Sequence, residues 1–197
     1  MKAFLNALIL ALGLLSVTVS AASATVTITF YHHKFRLLHG LATEYPHGFV
    51  TLTGTTPDGK VIDTSYGFSA NSIYLIALLA PINGDVDDPY DKDYIAAAIP
   101  HFAFPLTDAQ YQAVLATVEK WHKAPQPSYD FYTANCVSFV SDLAVASGLT
   151  ITKSDEFIHD PQGFLNDTAS RNRAFLAQYG NRFRDAPAQT RAASLPQ

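Results

Sequence analysis

From Thr25 to Tyr31 polar and apolar residues alternate (Thr-Val-Thr-Ile-Thr-Phe-Tyr), the period of a strand with one buried face. Two more β-rich runs, His47–Gly54 and Lys60–Tyr66, flank Thr55-Thr-Pro-Asp-Gly59. There proline presets φ and Asp-Gly supplies a left-handed position, so the runs predict a hairpin. Asn71–Ala80 is apolar throughout, and its pattern does not separate a buried strand from a buried helix. Asp85–Asp93 reads as an acidic loop. Ala98–Pro105 reads as extended, because its two prolines would disrupt a helix.

The helical period takes over further along. Thr107 with Gln110 three residues on is a capping-box pattern, and Tyr111, Val114, Leu115 and Val118 follow as an apolar stripe. That helix is expected to end near Lys123, before Pro125. A second is predicted from about Asn135 to Ser147, with Val137, Val140, Leu143 and Ala144 on one face and Gly148 as its stop. Asp160-Pro-Gln-Gly opens a third. Strands first and helices later predict an α+β fold, an antiparallel sheet packed against a few helices.

The two ends differ from this body. Lys2, the apolar run Ala7–Leu15 and the small residues Ala22-Ser23-Ala24 predict a secretory signal over residues 1–24, cleaved near Ala24, and a periplasmic or secreted protein. No later stretch reaches the roughly 18–20 apolar residues of a membrane span. Five of the six arginines fall between Arg171 and Arg191 among Pro, Gln, Ala and Ser. The expected organisation is a signal over 1–24, one domain over 25–185 and a flexible tail over 186–197. With 48% hydrophobic residues, 15% charged residues and a net charge of −4, the chain is too apolar for disorder and lacks the basic surplus of a nucleic-acid binder.

Cys136 is the only cysteine, so no internal disulfide exists, and a lone exported thiol must be buried or used. It stands in Tyr129-Asp-Phe-Tyr-Thr-Ala-Asn-Cys-Val-Ser-Phe-Val140, in the first turn of the second predicted helix. Helix-start N–H groups and the helix dipole favour a thiolate there, which predicts a lowered thiol pKa. A nucleophilic thiol needs an imidazole to take its proton, and of seven histidines His47, at a strand start before Gly48, is the best placed. Asp63 stands on the partner strand of the hairpin and reaches His47 only through a bulge or stagger. Tyr132 and Asn135 flank the thiol as candidate oxyanion donors beside the Cys136 N–H, or as ordinary satisfied loop polar groups.

His47-Gly-Phe-Val-Thr-Leu on a strand, a hairpin with a polar residue on its second strand, and then Asn135-Cys136-x-x-Phe139-Val140 opening a helix make an order that resembles the circularly permuted papain-like proteins. That group includes permuted relatives of the NlpC-type peptidoglycan hydrolases and the lecithin–retinol acyltransferase-like enzymes. The resemblance covers roughly Tyr45 to Leu143. It implies a permuted papain-like fold, with Cys136 as nucleophile, His47 as base and Asp63 at the position of the third polar residue that orients the imidazole. Asp63 stands where histidine is frequent, and residues 71–105 form an insertion without a counterpart.

The resulting expectation is an exported cysteine hydrolase, an amidase or peptidase acting on a peptide- or acyl-containing substrate such as cell-wall peptide, with no cofactor. Two alternatives stay open: a lipid thioesterase or acyltransferase on the same machinery, and a non-catalytic binding module with Cys136 buried. Other constellations are weaker. His32 and His33, with His39 nearby, offer imidazoles, but neighbours on a strand point to opposite faces and do not easily share a metal ion. Asp85, Asp87, Asp88, Asp91 and Asp93 offer oxygen ligands without the glycine and closing glutamate of an EF-hand.

Overall fold

The computed structural model describes residues 25–34, 36–38, 41–44, 46–71 and 74–180. The predicted signal segment, the 186–197 tail and His39 lie outside the described residues. The body is mixed α+β. A five-stranded antiparallel sheet has the order β6-β5-β4-β1-β7, built from β1 (Val26–His33), β4 (His47–Thr55), β5 (Val61–Ala70), β6 (Gly84–Asp87) and β7 (Ile99–Leu106). A separate ribbon pairs β2 (Arg36–Leu38) with β3 (Leu41–Glu44). Six α-helices are described: α1 (Tyr74–Ala77), α2 (Lys92–Ala97), α3 (Asp108–His122), α4 (Cys136–Ala146), α5 (Pro161–Arg171) and α6 (Arg173–Ala177), with a short 3-10 helix at Ser154–Phe157. None of the described helices is long and apolar enough to cross a membrane.

The alternation read in β1 fixes which side chains enter the core. Val26, Ile28 and Phe30 are buried, and across the ladder they join Val50 and Leu52 of β4, then Phe102 and Phe104 of β7. α3, α4 and α5 cover this face through Val114, Val137, Phe139, Val140, Phe164 and Leu165. The other face carries its own aromatic group, in which fully buried Phe49 stacks on Tyr31 at 5.1 Å and meets Tyr90 edge-on at 5.1 Å. Both faces of the central strand β4 are therefore occupied, which explains why Phe49-Val-Thr-Leu reads as a near-continuous buried run.

Local chemistry ends the helices where the sequence predicts. Thr107 and Gln110 form the capping box of α3, and Gln110 Nε2 also donates to the Ser147 carbonyl at 2.9 Å, tying the start of α3 to the end of α4. Asp142 of α4 accepts from Trp121 Nε1 at 2.9 Å and joins the same helices further along. Gly148 stops α4 with φ +90°, a left-handed conformation that side chains disfavour. Asp160 caps α5, accepting from the Gly163 N–H at 2.8 Å.

Ala98–Pro105 is extended as expected, forming most of β7, whereas residues 85–93 depart from the sequence reading. The expected acidic loop starts as the edge strand β6, paired with β5 from Gly67↔Asp87 to Ala70↔Gly84, and ends inside α2. Its carboxylates serve separate local partners. Asp87 takes Tyr90 Oη at 2.9 Å, Asp88 takes Thr64 Oγ1 at 2.6 Å, and Asp91 caps α2 through the Asp93 N–H at 2.7 Å. The calcium reading has no converging set of ligands to rest on. Among the described residues no group of three or more His, Cys, Asp or Glu side chains could hold a metal ion. As strand alternation requires, His32 and His33 diverge: His32 Nδ1 lies 2.6 Å from His101 Nε2, while His33 Nε2 lies 2.8 Å from the Tyr94 carbonyl.

Candidate active site

Cys136 and His47 line one cavity of about 270 Å³, together with Pro46, Ser69, Asn135 and His159. The cavity lies where β4 begins and β5 ends, against the first turn of α4. Asn135 sets the position of the thiol. Its Oδ1 accepts from the Val137 N–H at 2.8 Å as the helix cap, while Nδ2 donates to the carbonyls of Phe131 at 2.9 Å and Ile158 at 2.7 Å. The small Gly48 lets α4 and α5 come close to β4: a Cβ there would stand 3.3 Å from Pro161 Cβ and 3.5 Å from Val140 Cγ2.

The electrostatics differ from the sequence expectation. Cys136 is 8% exposed, and its burial pushes the thiol up to about 11 from an ordinary value of 9.0. The backbone N–H groups of Gly48, Val137 and Cys136 pull it down, as a helix start predicts, but desolvation outweighs them. The expected lowered thiol pKa is therefore corrected: in the resting protein Cys136 is a neutral thiol. His47 is neutral too. Burial, reinforced by repulsion from His33, lowers it from 6.5 to about 4, with Asp87 pulling the other way. The two groups share the cavity without a hydrogen bond between them. Nε2 of His47 instead lies 2.8 Å from Tyr90 Oη, which donates to Asp87 Oδ2 at 2.9 Å.

Asp63 is not brought to His47. It pairs with Thr53 in a ladder where Phe49 pairs with Gly67, so continuing the register puts Ser69 opposite His47. Asp63 is exposed and six residues further down β5, about 20 Å away at strand rise. The hairpin between Thr55 and Val61 contains no stagger that would shift it. Asn135 lines the cavity, but both of its Nδ2 hydrogens are already given to carbonyls, so it offers no side-chain donor to an oxyanion. Tyr132 is 56% exposed and turns its hydroxyl to the Leu78 carbonyl at 3.5 Å, with its ring edge-on to His159. The backbone N–H groups of Gly48 and Cys136 lie at the sulfur.

Tyr90 and Asp87, which hold His47, were hidden in the segment read as a solvated acidic loop. One sequence signal pointed at them. Gly67 interrupts the β5 run, and an isolated strand glycine marks a close approach. A Cβ at Gly67 would overlap Tyr90 Oη and stand 2.8 Å from His47 Nε2. His159 was also missed. Its Nε2 lies 3.0 Å from the Phe131 carbonyl, and its ring stacks on Phe131 at 4.1 Å on the cavity's outer side. Compared with protein-family models, curated proteins and solved structures, the chain matches none.

Proposed function

We propose that this chain is a cysteine hydrolase of the amidase or peptidase kind, with Cys136 as nucleophile and His47 as base, on a permuted papain-like arrangement. One observation carries the reading: the only cysteine, at a helix start, and a neutral, half-buried histidine, at a strand start, open onto the same small cavity. A neutral imidazole is the form able to accept a proton. A thiol held high by burial needs such a base, since few thiolates exist at neutral pH. In the reaction His47 takes the thiol proton as Sγ attacks the substrate carbonyl carbon. The oxyanion then faces the backbone N–H groups of Cys136 and Gly48. The carbonyl–nitrogen bond breaks, the imidazolium protonates the leaving amine, and water activated by His47 hydrolyses the thioester. In apo structures such contacts are often loose and close only with substrate bound.

Among the described residues no Asp, Glu, Lys or Arg side chain lines the cavity, which suits a neutral peptide or acyl group at the scissile bond. Taken with the export expected from residues 1–24, cell-wall stem peptides are the first substrate class. Incubating purified peptidoglycan with the protein and mapping the fragments by mass tests this. Wild type should release peptides with new termini, and Cys136→Ala, at an unchanged unfolding midpoint, should release none. The burial of Cys136 favours one second reading, a binding module in which the thiol is a small core hydrophobe. Equal products from both proteins would exclude the cysteine mechanism, and no products from either would favour the module.

A further inference from the structure

Resting on the hydrolase reading, the geometry around β5 assigns a positioning residue for the base. We infer that Tyr90, backed by Asp87, holds His47 in the tautomer with its proton on Nε2, leaving Nδ1 as the basic nitrogen. The Tyr90 hydroxyl has one hydrogen, and it goes to Asp87 Oδ2 at 2.9 Å. Its oxygen therefore meets His47 Nε2, 2.8 Å away, as an acceptor, and Nε2 must be the donor. A neutral imidazole with Nε2–H carries its lone pair on Nδ1.

Three separate features hold the phenol in place. The Tyr90 N–H donates to Ser65 Oγ at 2.7 Å, and Thr64 Oγ1 donates to Asp88 at 2.6 Å, so the loop after β6 is fastened to β5. The ring stacks on Tyr94 at 4.8 Å and stands edge-on to Phe49 at 5.1 Å. Gly67 leaves the space through which Oη passes, since any Cβ there would overlap it. Asp87 lies opposite Gly67 in the β5–β6 ladder, so hydroxyl, carboxylate and imidazole meet above one rung of the sheet. The segment read as an insertion thus completes the site.

The test separates this arrangement from simple aromatic packing. Tyr90→Phe keeps the ring and removes only the oxygen. Nitrogen NMR of the His47 imidazole, assigned by difference against His47→Gln, should show Nε2–H in wild type at neutral pH and a mixture of tautomers in Tyr90→Phe. Turnover of p-nitrophenyl acetate should fall about a hundredfold in kcat, the scale of a misaligned catalytic group, with KM unchanged. In Asp87→Asn the acid limb of the rate profile should move to lower pH, because the carboxylate charge that favours the imidazolium is gone. The other titratable groups around His47 (Tyr90 itself, His33 on β1, Cys136 on α4 and His159 across the cavity) stay in place. An Nδ1–H tautomer in wild type, or wild-type tautomer and turnover in Tyr90→Phe, would overturn the assignment. The NMR signal does not depend on turnover. An Nε2–H signal without turnover would therefore leave the positioning intact while the hydrolase reading fails.

Discussion

Replacing His47 by Gln should make the fold less sensitive to acid, and the size of the effect follows from the site. In the native protein the imidazole is pushed from 6.5 to about 4 by burial. Once the chain unfolds it returns to its ordinary value. Between those values the unfolded chain binds a proton that the native state refuses, so native stability falls as pH drops. The contribution is complete above 6.5, declines toward 4 and is flat below. Between about pH 7.5 and about pH 5 this one group costs the native state about 2 kcal/mol. Urea unfolding reads it directly, because Trp121, the only tryptophan, packs edge-on to Phe68 at 4.7 Å and to Phe139 at 5.7 Å, and reports loss of the core. The His32–His101 pair adds its own acid sensitivity, since burial lowers both histidines, but it is present in wild type and variant alike and cancels in the difference. Wild type should thus lose about 2 kcal/mol more than His47→Gln over that interval. Equal losses would refute the reasoning. The native imidazole would then protonate as readily as a free one, and burial would not be what sets its charge state.

Two further substitutions probe the positions the structure revised. Asp63→Asn should leave peptidoglycan turnover and its pH profile unchanged, since Asp63 is exposed and paired with Thr53; a collapse of activity would return it to the site. Asn135→Ala should destabilise the protein by about 2–3 kcal/mol in urea unfolding, by removing the cap of α4 and stranding the carbonyls of Phe131 and Ile158. A loss below about 0.5 kcal/mol would mean that another group takes over the cap.

Much of the architecture was legible because it is set by local rules. Alternation in β1, the turn at Pro57-Asp58-Gly59, the Thr107–Gln110 cap and the Asp160 cap each depend on residues a few positions apart. The position of Cys136 at a helix start was local too. The third member of the site was not. The hairpin register sets which β5 residue lies opposite His47, but what reaches that end of β5 depends on the β5–β6 pairing between segments further apart, which composition does not encode. The nearest carboxylate by sequence logic, Asp63, is thus at the wrong end of the hairpin, and Asp87 arrives from a strand hidden in an acid-rich stretch. The thiol pKa is not legible in the sequence for a related reason. A helix start is visible in sequence, but the desolvation that overrides it comes from how closely α4 and α5 pack on Gly48.

The central claim is that the Cys136 thiol, buried and neutral at rest, is a nucleophile served by His47. Intact-mass measurement after brief reaction of the folded protein with p-nitrophenyl acetate tests it most directly. One acetyl group is expected, mapped to Cys136, absent in Cys136→Ala and formed far more slowly in His47→Gln. An unmodified folded protein whose thiol reacts only after unfolding would contradict it, and would make Cys136 part of the core and nothing more.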